Sequence, residues 1–290
     1  MSANLIGALL MMASMACFTI NDALLKATDN ALPLFQLLFL RGVLATALIG
    51  VLAYNRGALH LRLEKQDRWL IAGRSAAEIG AAYFFVTALL NMPLANVTAI
   101  LQVLPLTVTL GSAFFFNEPV GWRRFLAIAI GFVGMLLIVR PGTEGFSLWS
   151  LYALLAVLCV TARDLFTRRM SPAAPSLLVT LAASVAVMLA SGLSSTTIDW
   201  APVTPDLWLL LVSSALFIVG GYFFSVRVMR VGDIAFIAPF RYTGLIWALV
   251  LGFFVFNEWP EPTTLFGAAI IVATGLFTLY REHRVAQGKS

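Results

Sequence analysis

Ten apolar runs, each about as long as a membrane-crossing helix, follow one another almost without a break from residue 4 to residue 281. A helix needs roughly 20 mostly apolar residues to cross a bilayer, and backbone polar groups at that depth must be satisfied within the segment. The runs are 4–27, 34–54, 69–91, 94–116, 124–140, 148–167, 176–195, 206–228, 234–256 and 264–281, numbered here as spans 1 to 10. The narrowest separator is Asn91-Met92-Pro93, and span 7 is the one richest in Ala and Ser. With 60% apolar and 11% charged residues, the composition is that of the membrane class. The expected fold is an all-α integral membrane protein of ten transmembrane helices, with the lipid bilayer as its first partner.

The spacing also limits chemistry. No connector exceeds about 14 residues, which leaves no room for a soluble catalytic domain, and no GxxxxGK[ST] phosphate loop occurs. Span 1 has no basic segment before it and span 2 follows closely, so it reads as a retained helix rather than a cleaved signal peptide. The net charge of +5 does not point to nucleic acid, because its placement is one-sided. With a cytoplasmic N-terminus, the inner connectors and tail hold thirteen Arg and Lys, including Arg123, Arg124, Arg168, Arg169, Arg281 and Arg284, while the outer side holds only Lys26 and Arg140. That bias places both termini in the cytoplasm. Cys17 and Cys159 lie inside spans and are read as small packed thiols rather than a disulfide.

The chain repeats itself. CFTINDALLKA at 17–27 matches CVTARDLFTRR at 159–169, placing Thr19 on Thr161, Asp22 on Asp164 and Lys26 on Arg168; Pro33 and Pro175 keep the same offset of 142. Asn117-Glu118 and Asn257-Glu258 repeat at 140, and Gly134 and Gly275 at 141. Shared polar residues at a shared offset mark a duplication. Each unit, 1–142 and 143–290, holds five helices. Five is odd, so the second enters the membrane from the opposite side: the halves are inverted repeats. Such repeats suit a site at their interface, opened to each side in turn.

Two five-helix units whose fourth and ninth helices end in Phe-Asn-Glu resemble the EamA-type branch of the drug/metabolite transporter superfamily. IAPFRYTGLIWALVLGFFVFNEWP at 237–260 is similar to its strongest signature, and the resemblance covers essentially the whole chain. The resemblance extends to the YddG-type amino acid exporters of that branch. It implies a central cavity lined by spans 1–4 and 6–9, peripheral spans 5 and 10, a bacterial inner-membrane location and no cofactor.

Ionisable residues at membrane depth are functional candidates: Asp22, Arg41, Arg74, Glu78, Arg163, Asp164 and Arg241. Asp22 is read either as paired with Arg41 or Lys26 or as a gate, with Asp164 and Arg163 at the opposite mouth. Arg74 and Glu78, spaced i, i+4, form either a self-satisfied pair or part of a cavity wall that continues to Tyr83, with Tyr222 equivalent in the other half. Arg241 has no acid within a turn, and its planar fork matches a carboxylate; the other reading is a buried partner of Glu78 or Asp22. Tyr242, Gln102 and Trp247 complete the candidate binding set. Pro105 and Pro239 break helix hydrogen bonding and are candidate hinges. Four arginines against three acids mildly favour an acidic substrate. Glu118 and Glu258 are assigned helix-end or interfacial roles, and Trp149, Trp200, Trp208 and Trp259 interfacial anchoring.

The expected function is secondary transport of small polar metabolites by alternating access, with amino acid export first and uptake of another metabolite such as S-adenosylmethionine second. A proton is the candidate coupling ion, with Glu78 ahead of Asp22 and Asp164 as its carrier, since His60 and His283 lie in cytoplasmic segments; facilitated diffusion is the alternative. A membrane-embedded enzyme or lipid-handling protein is the rival from another class, and against an enzyme stands the lack of paired carboxylates, a His cluster or a nucleophile–base pair on any connector. The sequence does not select monomer or dimer.

Overall fold

The computed structural model describes residues 3–59, 64–117, 121–141, 147–171, 173–228, 231 and 234–286. Among them every regular element is helical. In chain order these are α1 (Ala3–Lys26), α2 (Leu34–Asn55), α3 (Lys65–Asn91), α4 (Leu94–Leu101), α5 (Leu104–Phe116), α6 (Trp122–Val139), α7 (Leu148–Arg169), α8 (Ser176–Ser195), α9 (Pro205–Val228), α10 (Ile234–Ile237), α11 (Thr243–Phe256) and α12 (Pro262–Ala286), with a 3₁₀ segment at Ala238–Tyr242. All ten spans are recovered, including the division at Asn91-Met92-Pro93. Glu118 and His60 lie outside the described residues, as does the side chain of His283.

Spans 4 and 9 are each broken, and proline explains both breaks. Pro105 has no N–H for the Leu101 carbonyl, so the helix stops at Leu101 and restarts at Leu104. The Gln102 N–H at the break is shared between the carbonyls of Thr98 and Ala99, each at 3.2 Å. Pro239 sits in the 3₁₀ segment that joins α10 to α11. Both broken spans then end on a left-handed asparagine, Asn117 at φ 53° and Asn257 at φ 54°, a residue whose short side chain tolerates that conformation.

The helices pair across the two halves. The most extensive contacts join α1 to α9, α3 to α7, α2 to α8 and α6 to α12, with α4 against α11. Swapping the halves maps this set onto itself: the first helix of each unit packs on the third of the other, and second, fourth and fifth pack on their equivalents. The fold is therefore two inverted five-helix repeats. Among the described residues, nine of the ten spanning segments are long and apolar enough to cross a membrane; α3 falls outside that set, opening with Lys65-Gln66-Asp67-Arg68 and carrying Arg74 and Glu78 mid-helix.

Small residues allow these approaches. A Cβ on Gly80 would lie 2.9 Å from Cys159 Sγ, and one on the equivalent Gly220 would lie 3.5 Å from Cys17 Sγ. The two cysteines are thus free thiols packed over glycines in mirrored positions. Between the peripheral helices, a Cβ on Gly134 would meet the Gly267 carbonyl at 2.8 Å. That neighbour is backbone and cannot swing away, so Gly134→Leu is expected to cost about 1–3 kcal/mol by overpacking, read as a lower thermal midpoint in detergent.

Candidate functional site

The middle of the bundle holds a chain of alternating charges on α3 and α7. Glu78 accepts from Arg163 Nη1 at 3.4 Å through Oε1 and faces Arg74 Nη2 at 3.6 Å through Oε2. Arg163 also donates from Nε to Asp164 Oδ1 at 2.9 Å. Arg74 is held further by Thr167 Oγ1, 3.1 Å from its Nε, and by the Val179 carbonyl on α8, 3.4 Å from Nη1. The i, i+4 pair on α3 is therefore not self-contained: it is the α3 half of a four-residue network that spans the repeats.

The opposite seam, α1 against α9, repeats this arrangement with less charge. Asn21 occupies the position equivalent to Arg163, and Ser214 the one equivalent to Arg74. Asn21 Nδ2 donates to Asp22 Oδ1 at 2.8 Å, as Arg163 donates to Asp164. Asn21 Oδ1 accepts from Ser214 Oγ at 2.8 Å and from Arg41 Nη2 at 3.3 Å. Asp22 thus meets Arg41 through Asn21, and Lys26 turns away to another acid. Neither Asn21 nor Ser214 was a sequence candidate, although the repeat register alone aligns each with a charged residue.

Between α2, α3, α8 and α9 lies a cavity of about 90 Å³ lined by Arg41, Arg74, Glu78, Tyr222, Thr180 and Ser184 together with aliphatic side chains. Ligand pockets for drug-sized molecules typically begin near ~300 Å³, so this one is small. Two of its ionic atoms make no hydrogen bond. Arg41 Nε and Glu78 Oε2 are both buried without a hydrogen-bond partner. Oε2 keeps its ion pair with Arg74 at 3.6 Å, so the cavity presents one unmet donor, Arg41 Nε, and one carboxylate oxygen that is ion-paired but not hydrogen-bonded.

Where α1 and α11 end, the two repeats are joined by an ion pair absent from the sequence candidates. Lys26 Nζ lies 3.1 Å from Glu258 Oε1 and donates to the Met92 carbonyl at 2.7 Å, while Glu258 Oε2 accepts from the Leu94 N–H at 3.0 Å. Glu258 therefore caps the start of α4 from the other repeat, a role beyond the helix-end one expected of it. Lys26 also rides over the Phe256 ring at 5.4 Å, and Arg168 over the equivalent Phe116 at 5.9 Å. Arg168 hydrogen-bonds Ser112.

The remaining candidates lie elsewhere. Tyr83 stacks on Phe35 at 5.8 Å and joins Phe84 and Tyr152, an aromatic cluster that Trp149 also contacts. Tyr242 is buried with its hydroxyl against Gly275 of α12 and no hydrogen-bond partner. Gln102 is buried beside Gly244, and Trp247 is half-buried on α11. Arg241 is exposed on the 3₁₀ turn, and Glu78 is paired with Arg74 and Arg163 instead. Apart from the exposed Arg241, the intramembrane ionisable residues number three arginines, Arg41, Arg74 and Arg163, and three acids, Asp22, Glu78 and Asp164.

A family model described as the EamA-like transporter family matches residues 5–140 and again 147–280. Among relatives, the chain is 24% identical to a protein named S-adenosylmethionine uptake transporter in Rickettsia felis, covering 95% of this chain and 93% of that one. It is 25% identical to a riboflavin transporter of Brucella anthropi, covering 88% and 91%, and 26% identical to the pseudopaline exporter CntI of Pseudomonas aeruginosa, covering 92% and 93%. These names widen the narrower resemblance to amino acid exporters into one with metabolite carriers of several kinds. Two consecutive matches, one to each inverted half, establish the assignment: the chain belongs to the EamA-like transporter family.

Proposed function

We propose that the protein is a secondary transporter of small zwitterionic metabolites, those that carry an amino group and a carboxylate, and that its halves, 1–142 and 143–290, rock about the central cavity. The observation that carries this reading is the pair of buried atoms without a hydrogen bond on one cavity, Arg41 Nε and Glu78 Oε2, the latter held only by its 3.6 Å ion pair with Arg74. A planar guanidinium complements a carboxylate, and a carboxylate oxygen complements an ammonium. The balanced charge of the cluster suits a ligand with both. Amino acids, moved outward across a bacterial inner membrane with both chain termini in the cytoplasm, are the first substrate class. S-adenosylmethionine uptake is the second, favoured by the near full-length likeness to proteins of that name; that molecule bears the same amino-carboxylate.

In this reading Arg41, Glu78 and Tyr222 meet substrate, while Arg74, Arg163 and Asp164 hold Glu78 in place. Asp22 holds Arg41 through Asn21. The breaks at Pro105 and Pro239 are the hinges, and Lys26–Glu258 is the outer latch. Glu78, the carboxylate on the cavity, is the candidate proton carrier. Arg241 on its exposed turn is a gate candidate, with Tyr83, Gln102, Tyr242 and Trp247 supporting the cavity walls. Flux of labelled amino acids, S-adenosylmethionine and riboflavin into liposomes holding the purified protein tests the substrate class. Movement of the first or second but not the third is the expected result; flux of riboflavin alone would overturn it.

The latch carries its own prediction. Lys26→Cys with Glu258→Cys, in a chain whose Cys17 and Cys159 are serines, is expected to stop flux when bridged by a short bis-methanethiosulfonate, which links the thiols through disulfides, and to recover it on reduction. Undiminished flux in the bridged protein would remove the outer latch from the mechanism.

A further inference from the structure

The peripheral helices α6 and α12 enclose a second feature that the transport cavity does not use. A groove of about 630 Å³ runs between them, at the end of the bundle where the basic connectors gather. Arg123, Arg281 and Arg284 surround its mouth. Arg123 lies over the Trp122 ring at 5.4 Å and Arg284 over the Tyr280 ring at 5.8 Å. Arg281 Nε is buried with no hydrogen-bond partner. Among the described residues none of the three has an acid within ion-pair distance. Three guanidinium groups with no acid among the described residues, one of them with its buried Nε unmet, call for an anion. The start of α6, with no side chain capping it, adds the positive end of a helix dipole on the same side.

Below the arginines the groove is apolar. Leu126 and Ile130 on α6, with Phe277 and Ala273 on α12, continue it about two helical turns toward the membrane centre, roughly 10 Å at 1.5 Å per residue. A soluble anion would have no use for that trough. We infer that the groove binds an anionic phospholipid of the leaflet on the arginine-rich side, its phosphate held by Arg123, Arg281 and Arg284, and an acyl chain lying along Leu126, Ile130 and Phe277. Basic pockets between transmembrane helices on the cytoplasmic side are a recurring form of lipid recognition. Here the groove lies at the joint between the two repeats, over the Gly134–Gly267 contact, so a bound lipid touches both halves.

Native mass spectrometry of the full chain, released from micelles doped equally with phosphatidylglycerol and phosphatidylcholine of the same acyl chains, tests this. Wild type is expected to retain the glycerol lipid in preference by about tenfold, and that lipid is expected to raise its melting temperature more than the choline lipid does. The triple change Arg123→Gln, Arg281→Gln and Arg284→Gln brings the ratio to near parity. Ala273→Trp, which fills the trough and leaves every charge in place, reduces retention as well. Parity in wild type, an unchanged preference in the triple variant, or full retention in Ala273→Trp would each overturn the proposal. The wild-type measurements stand alone should either variant fold poorly.

Discussion

Glu78→Ala is expected to destabilise the protein by about 3–5 kcal/mol, the usual cost of removing one partner from a buried ionic network. Arg74 Nη2 and Arg163 Nη1 both face this carboxylate, and without it Arg163 keeps Asp164 while Arg74 keeps no acid among the described residues. The equivalent seam gives an internal comparison. Ser214→Ala removes a neutral hydrogen bond to Asn21 and is expected to cost only about 1 kcal/mol. Adding Arg74→Ala to Glu78→Ala should cost less than the sum of the single changes, because both act on one network. Thermal unfolding in detergent measures all of these; equal losses for Glu78→Ala and Ser214→Ala would show that the charged seam has no special weight.

Arg41→Ala is expected to lower transport by about 10–100-fold, corresponding to the ~1.5–3 kcal/mol of a hydrogen bond to a charged group. Its stability loss should be smaller than that of Glu78→Ala, since among the described residues Arg41 makes a single long hydrogen bond, 3.3 Å to Asn21, and its Nε makes none. Arg41→Lys keeps the charge but loses the planar fork, so it should recover only a minor part of the flux. Initial uptake rates in liposomes, read beside the melting temperature of each variant, separate a binding role from a folding one.

How far the sequence reaches depends on what each property requires. The helices were legible because ten apolar runs leave the backbone no other structure, and even the breaks at Pro105 and Pro239 follow from one missing N–H each. The inverted repeat was legible because its markers are polar residues at a fixed offset. The site was legible only in part. Arg41, Arg74, Glu78, Arg163, Asp164 and Tyr222 stand out as polar groups in apolar helices, and they do gather. Asn21 and Ser214 carry no charge and looked unremarkable until α1 packed on α9. Lys26 and Glu258 sit near span ends, where charges are ordinary, and only the fold brings residues 232 positions apart to 3.1 Å. Arg241 is a charge inside an apolar run, carried on the 3₁₀ segment that holds Pro239, and its side chain is exposed there.

The central claim is that Arg41 and Glu78 together receive a zwitterion, and ligand-induced thermal stabilisation of the purified protein tests it most directly. An amino-carboxylate ligand should raise the melting temperature, while its deaminated and its carboxamide analogues should each do so weakly, and the preference should disappear in Arg41→Ala. Equal stabilisation by all three ligands, or an unchanged preference in Arg41→Ala, would contradict the account.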